Sequence, residues 1–536
     1  MIVGKADTTR KEMTPPTVES PHATTGGRAI TNSLWNIVPM VWSSLLGLAT
    51  IPIIVKGIGM DHFGLFGLFA VLLAPLSLAN LGFGEATIKY VAEHAATGDY
   101  NQCACFVRTT LFFNLAVGVA CGGLIVSIGP MLAHRFFNIP AQDLHLFNRC
   151  LVLVGATWAV NQAGSVFMGI PPAMQRFRVV ATCQMVITTC TAVATVGAVL
   201  GGLGLLGYTA ANLAGAALGL LVWYMAGKAL LPMQDFSPRL DKAVWKRAFH
   251  FGIWQAAAQL GGMLANQAER FLLGAYLIPK SVGLYNVAWS LEQRAYAVVF
   301  KMSEVLFPIF SAAGADSLER KFLLLTRATW LLTSLSVCAL VPMVGLARPL
   351  LAAWINPDTA RQAGLTLQVL SIAGILGCAT NATYFFLLGT GRTRLMAVLS
   401  FVTGVSTVLG ALLIIPRFGL RGAAFGSLIS MVIQQTLLIA YLLPRIFGPA
   451  FSLVKCSVAF HLPVVIGLAL AFASTQLKCL NGCSLLTVLA GYALAGVLCA
   501  CLILVCHWKI PYVSIHLSDA VRVLAFVRAK LGTGSG

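Results

Sequence analysis

Glu269 and Arg270 stand side by side inside a long apolar run, A265-NQAERFLLGAY276. Each charge at the middle of a membrane helix costs roughly 2.5 to 3.5 kcal/mol to insert on translocon scales. A chain that keeps two of them there needs a partner or a use for each. Gln255, Gln259, Gly262, Asn266 and Arg270 follow one another at spacings of four, three, four and four, one face of a helix. A continuous polar stripe predicts contact with another helix or a wet cavity, not lipid. Glu269 falls about 100° from Arg270, at the border of that face.

The next apolar run carries Glu292, Arg294, Lys301 and Glu304. Arg294 and Lys301 are seven residues apart, on one stripe about 10.5 Å along the axis. The turn between the two runs centres near Pro279-Lys280-Ser281. Folded as an antiparallel hairpin, the runs bring these charges to similar depth, so Arg270 is expected near Glu292 and Glu269 near Arg294. Arg270, Arg294 and Lys301 balance Glu269, Glu292 and Glu304 in number. With Glu304 near the inner boundary, one positive charge remains in excess, and a cationic cavity would favour an anionic substrate.

These residues must be positioned by membrane helices. The chain has 536 residues, 58% hydrophobic and only 10% charged, against about a quarter charged in soluble domains. The composition predicts an all-α polytopic membrane protein. Runs of about 20 apolar residues fall at 33–56, 63–85, 107–130, 146–170, 179–202, 207–227, 250–277, 283–312, 322–346, 364–390, 394–416, 420–443, 456–475 and 484–506, fourteen spans. The net charge of +19 is spread between spans, with no basic patch interleaved with aromatics, so nucleic acid is not an expected partner. With the N-terminus inside and basic residues near span ends counted with the adjoining loops, cytoplasmic segments hold 24 Lys and Arg, external segments 9 and the spans three, which puts both termini in the cytoplasm.

The sequence divides into a disordered cytoplasmic tail (1–28), a first lobe (29–230), a basic linker (231–248) with Arg239, Lys242, Lys246 and Arg247, a second lobe (249–446), two further spans (447–510) and a basic tail (511–536) suited to an interfacial helix. The lobes are related by a repeat. Trp35 precedes Gly64-Leu65-Phe66 by 29 residues, and Trp254 precedes Gly283-Leu284-Tyr285 by the same 29, an offset of 219. Gly204-Leu-Leu-Gly207 matches Gly419-Leu-Arg-Gly422 at 215, and upstream of these lie Gln175-Arg176-Phe-Arg178 and Gly391-Arg392-Thr-Arg394. Six spans separate the copies, an even number, so both enter the membrane in the same sense around an axis along its normal. Two such lobes suit alternating access around a midplane site.

Polar residues of the first lobe are fewer: Asn36, Asn80, Asn161 and Gln162. They fit either a lining for the gap or ordinary hydrogen bonding between helices. The fourteen cysteines show no CxxC pair and no zinc spacing, and only Cys479 and Cys483 are placed to oxidise. No P-loop or HExxH occurs, so no metal, cofactor or catalysis is expected.

The ordered set N32-SLW-N36, P52, K56-GIGMDHFGLFGLF, L81-GFGEATIKYVAEH, V282-GLYNVA288, L306-FPIFSA312 and G419-LRGAAFG426 resembles the polysaccharide transporter family, the bacterial oligosaccharide flippases of the MOP superfamily. The likeness runs over about 30–450. It implies movement of an undecaprenyl-pyrophosphate-linked oligosaccharide repeat across the cytoplasmic membrane for exopolysaccharide, capsule or O-antigen assembly. Partners implied are that lipid-linked substrate, membrane lipids, H+ or Na+ as coupling ion, and polymerase and chain-length proteins. On this basis Arg270, Arg294 and Lys301 are the expected anion contacts. Gln255, Gln259, Asn266, Asn36, Asn161 and Gln162 are the expected polar lining, and Glu269 and Glu292 the counter-ions or coupling sites. The alternatives are a drug/ion antiporter or a lipid II flippase of the same superfamily, and further off a membrane-bound polymerase or ligase.

Overall fold

The computed structural model describes residues 25–80, 83–231, 235–246, 267, 269–313, 317–475 and 482–510. Trp35–Ser514 form one compact unit; residues 1–34 and 515–536 fall in a second, of which only the helical residues 25–34 are described. Among the described residues the regular elements are all helices, as hydrocarbon requires of a backbone that must satisfy its own polar groups. Eleven of these helices are long and apolar enough to cross a membrane.

Thirteen of the fourteen predicted spans, all but span seven, map onto them once two bends are recognised. Thr25–Leu73 holds spans one and two and turns at Gly59, with φ 84° and ψ 160°. Thr393–Leu437 holds most of spans eleven and twelve and turns at Gly419, with φ 58° and ψ −133°. Of span seven, Gln267 and 269–276 are described as helical. Gln255, Gln259 and Asn266 lie outside the described residues, as do Cys479 and residues 1–24 and 511–536; residues 25–28 of the expected disordered tail are helical.

Two boundaries differ from those predicted, and proline accounts for both. Span two was expected over 63–85, but its helix ends at Leu73, a 3-10 turn covers Pro75–Asn80, and Phe83–Ala96 is a separate helix. Pro75 cannot donate to the ladder and disfavours helix before it. Span eight, expected over 283–312, is Pro279–Ser303 followed by Leu306–Ala312. Pro308 lacks the N–H that would close on Glu304, and the helix breaks there.

Within the first half, spans three, four, five and six pack on one another; in the second, spans eight to ten pack together with the helix of spans eleven and twelve. Spans thirteen and fourteen, Leu453–Thr475 and Leu485–Lys509, lie against span nine, Leu318–Trp354. Gly467 fits there because a Cβ would meet Val337 at 2.6 Å. Linker residues 235–246 dock on the start of span three: Arg108 donates to the Asp235 carbonyl, and the Asp241 amide to Thr109 Oγ1 at 3.3 Å. The Asp241 carboxylate caps helical residues 242–246, and the amides of Val244 and Ala243 hold its pKa below the usual value.

The repeat is visible in backbone conformation. Gly204 and Gly419 both sit at φ +58°. Gln175, the one non-glycine at positive φ among the described residues (+54°), corresponds to Gly391 at +73°. The second copy carries glycine where the turn needs a left-handed residue, and the first tolerates glutamine. Gln175→Gly is therefore expected to raise stability by about 0.4 to 1 kcal/mol, measured as an upward shift in thermal unfolding of the purified protein.

The two copies also meet through equivalent residues. A Cβ on Gly64 would fall 1.8 Å from the Pro279 carbonyl oxygen, and one on Gly283 would fall 2.6 Å from that of Met60. Met60 and Pro279 are themselves 219 residues apart. Gly67 faces Asn286, again 219 on, with a Cβ only 2.0 Å from its Nδ2. Residue i of one copy touches j of the other while j touches i, the signature of a two-fold contact. Asn138 adds to the same seam, donating from Nδ2 to the Ala275 carbonyl at 3.1 Å and from its amide to Gly274 at 3.4 Å.

Candidate functional site

Span one bends its neighbours to it through a proline. Pro52 has no N–H, so the carbonyl of Leu48, four residues earlier, lacks its helical partner. The indole Nε1 of Trp354, at the end of span nine, donates to that carbonyl at 2.7 Å. Four residues before Leu48, the Ser44 carbonyl accepts from Arg294 Nε at 3.3 Å, and Arg294 also reaches the Ser290 carbonyl at 2.6 Å. Gly47 makes room for the guanidinium, since a Cβ there would lie 2.0 Å from Arg294 Nη2. Arg294 thus reaches from the second copy into span one of the first.

Glu269 and Arg270 are both buried, 7% and 6% exposed, but they face different partners. Glu269 accepts from the Tyr285 hydroxyl with one carboxylate oxygen and from the Ser427 hydroxyl with the other. The Arg270 guanidinium lies over the Trp289 ring, 3.7 Å from its centroid, in a cation–π contact of a desolvated kind. The expected Glu269–Arg294 pair is not formed: hydroxyls hold the carboxylate, and backbone carbonyls hold the guanidinium. Side-chain direction explains this, because depth along a hairpin fixes height but not which face a side chain takes. Glu292, 4% exposed, accepts from Gln293 Nε2 at 3.0 Å.

Glu269, Tyr285, Trp289, Glu292, Tyr296 and Asn381 line a cavity of about 350 Å³, with Ser427, Thr403 and Thr407 on its far wall. The described lining residues belong to the second copy, from spans seven, eight, ten, eleven and twelve. Among the described residues its charged lining is two carboxylates, Glu269 and Glu292, and the three expected anion contacts are not part of that lining. Arg270 is held behind Trp289, Arg294 faces span one, and Lys301 pairs with Glu304 at 2.7 Å beside the helix break.

Gly374 gives Glu292 its place. A Cβ on Gly374 would fall 2.3 Å from Glu292 Oε1, so the carboxylate lies directly against the backbone of span ten. Gly374→Ala is expected to displace Glu292 and destabilise the chain by about 1 to 3 kcal/mol. Thermal unfolding checks the cost, and polymer output in a complemented deletion strain checks the site.

In the first copy, Asn161 is exposed and Gln162 is buried where span four crosses span three, close to Gly118. Asn36 lies in the first helix, its side chain outside the described set. Tyr285, Trp289, Ser427, Asn381 and Trp354 were not singled out in the sequence. Pro52 was the one available signal for Trp354, since a proline inside a span leaves a carbonyl to be satisfied.

A family model described as polysaccharide biosynthesis protein matches residues 29–313, more than half of the chain. The chain belongs to that family. Similar curated proteins include an uncharacterised membrane protein, EpsK, of Bacillus subtilis (strain 168), 22% identical over 437 residues, covering 77% of this chain and 82% of that one. A putative O-antigen transporter of Shigella flexneri is 19% identical over 424 residues, covering 76% and 96%. Among solved structures, the lipid II flippase MurJ in an inward closed conformation superposes with a TM-score of 0.70, at 12% identity over 89% of this chain and 99% of that one. An inward-facing multidrug resistance MATE transporter of the MOP superfamily gives 0.60, at 15% identity over 83% and 96%. This member of the polysaccharide biosynthesis family therefore shares the fold of those two membrane proteins.

Proposed function

We propose that the chain is a flippase. It moves undecaprenyl-pyrophosphate-linked oligosaccharide repeats from the inner to the outer leaflet of the cytoplasmic membrane by alternating access. Exopolysaccharide, capsule or O-antigen assembly follows. The observation that carries this is the two-fold seam, in which Gly64 and Gly283 bring the two copies into backbone contact at one end. Positive residues assign that end to the outside, with both termini in the cytoplasm. A seam whose closest approaches are glycine to backbone carbonyl can close tightly and part again as the lobes rock.

Arg270 and Arg294 are the anion contacts for the pyrophosphate, with Lys301 nearer the cytoplasmic end of its helix. Movement of Trp289 would uncover Arg270, and parting of the lobes would release Arg294 from Ser44. Glu269 is the site for a coupling ion or proton, with Glu292 as a second carboxylate on the same cavity: a carboxyl group among hydroxyls can accept from both or donate to one.

Deletion of the gene followed by fractionation of lipid-linked intermediates tests the function. The expected result is polymer lost and repeat units accumulated on the inner leaflet. Normal polymer with no accumulated intermediate would overturn it.

A further inference from the structure

The geometry points to the cavity of the second lobe as the seat of one sugar ring of the transported repeat, with Glu292 and Asn381 as its hydrogen-bonding pair. This assignment rests on the flippase reading and adds to it a place for the glycan apart from the pyrophosphate.

Size is the first argument. At about 350 Å³ the cavity stands at the low end of small-molecule sites, about 300 to 1,000 Å³. It fits a ring and excludes a whole lipid-linked repeat. Polarity is the second. Asn381 is 6% exposed; its Oδ1 accepts from the Tyr296 hydroxyl at 3.3 Å, while its Nδ2 has no partner. A buried donor left unmade is costly, and such groups point to a missing ligand or water. Glu292, on the same cavity, uses Oε2 for Gln293 and keeps acceptor capacity to spare.

These two groups together narrow the chemistry. A bare cation would satisfy the carboxylate and leave the Asn381 N–H unpaired. A phosphate would accept from Asn381 but meet two carboxylates and, among the described lining residues, no cation. A sugar ring does both jobs, one hydroxyl donating its proton to Glu292 while another accepts from Asn381 Nδ2. Trp289 and Tyr296 supply ring surface for the C–H face of the sugar.

The test uses the full-length protein in nanodiscs. The probes are the monosaccharides released by acid hydrolysis of the host's own polymer, added singly, with NaCl and KCl as ion arms. Trp289 fluorescence is the readout, taken as the difference from Trp289→Phe. One of the sugars should quench it saturably, in either salt. Asn381→Asp keeps the oxygen facing Tyr296 and loses the donor, so it should weaken binding roughly tenfold while the thermal unfolding midpoint stays in place. Asn381→Leu should do the same or more. No response to any sugar, a response to sodium alone, or unchanged sugar binding in Asn381→Asp would each overturn the assignment. The flippase reading fails separately: normal polymer after gene deletion removes it whatever the sugars do. Accumulated repeats with no sugar binding remove only the cavity's role.

Discussion

Gly64→Val abolishes polymer export while the protein still reaches the membrane; this is the largest effect expected of any single substitution here. The first added carbon would lie 1.8 Å from the Pro279 carbonyl oxygen, which is backbone and cannot rotate away. Overpacking a tight contact costs about 1 to 3 kcal/mol, often more against backbone. Spent on one state of a two-state transporter, that shifts its population by roughly 5- to 150-fold. The closed seam is therefore lost and the outward-open form accumulates. Gly283→Val, its repeat counterpart against Met60, should behave the same way. Thiol-reagent access to a cysteine at Val282, fully buried beside Gly67 in the seam, in a background lacking native cysteines, reads the change. Accessibility should rise in both valine variants. A Gly64→Val protein with normal export would show that the seam is not a gate.

The second large effect concerns Arg270. Arg270→Ala removes a buried guanidinium from the Trp289 ring and from the proposed pyrophosphate contact. Truncating one partner of a desolvated charge pair costs about 2 to 5 kcal/mol, or roughly 30- to 3,000-fold in transport at limiting substrate. Arg270→Lys should recover only part of this, because an ammonium has no plane to lay on the indole and no fork for a phosphate. The arms separate structure from function. If both variants are lost from the membrane, Arg270 holds the fold. If both are present and only the arginine works, it serves the substrate.

Much of this architecture was legible in the sequence because hydrocarbon leaves the chain few choices. Apolar run length fixed the spans, and the parity of the repeat predicted a parallel two-fold relation that Gly64 and Gly283 display in their mutual contact. Turns at Gly59 and Gly419 fell between predicted spans. The prolines were read less well: Pro75 and Pro308 end helices that hydropathy alone would continue.

The site was legible only as a list of charges. Depth predicted that Glu269, Glu292, Arg270 and Arg294 would be buried near one another. It could not say that Glu269 turns to Tyr285 and Ser427, or that Arg294 crosses to the Ser44 carbonyl. Those directions depend on helix rotation and on distant segments, Ser427 lying 158 residues from Glu269. Asn381 gave no signal at all, since a lone asparagine in a span reads equally as helix glue.

The most direct measurement is lipid flipping by the purified protein. Liposomes containing the host's own lipid-linked repeat, with or without the chain, are treated with an impermeant reagent that oxidises sugars. Without the protein only the outer-leaflet share should react. With it, nearly the whole pool should become accessible, and Gly64→Val and Arg270→Ala proteins should leave it protected. Protection unchanged by the folded wild-type protein, with and without a sodium or proton gradient, would contradict the account.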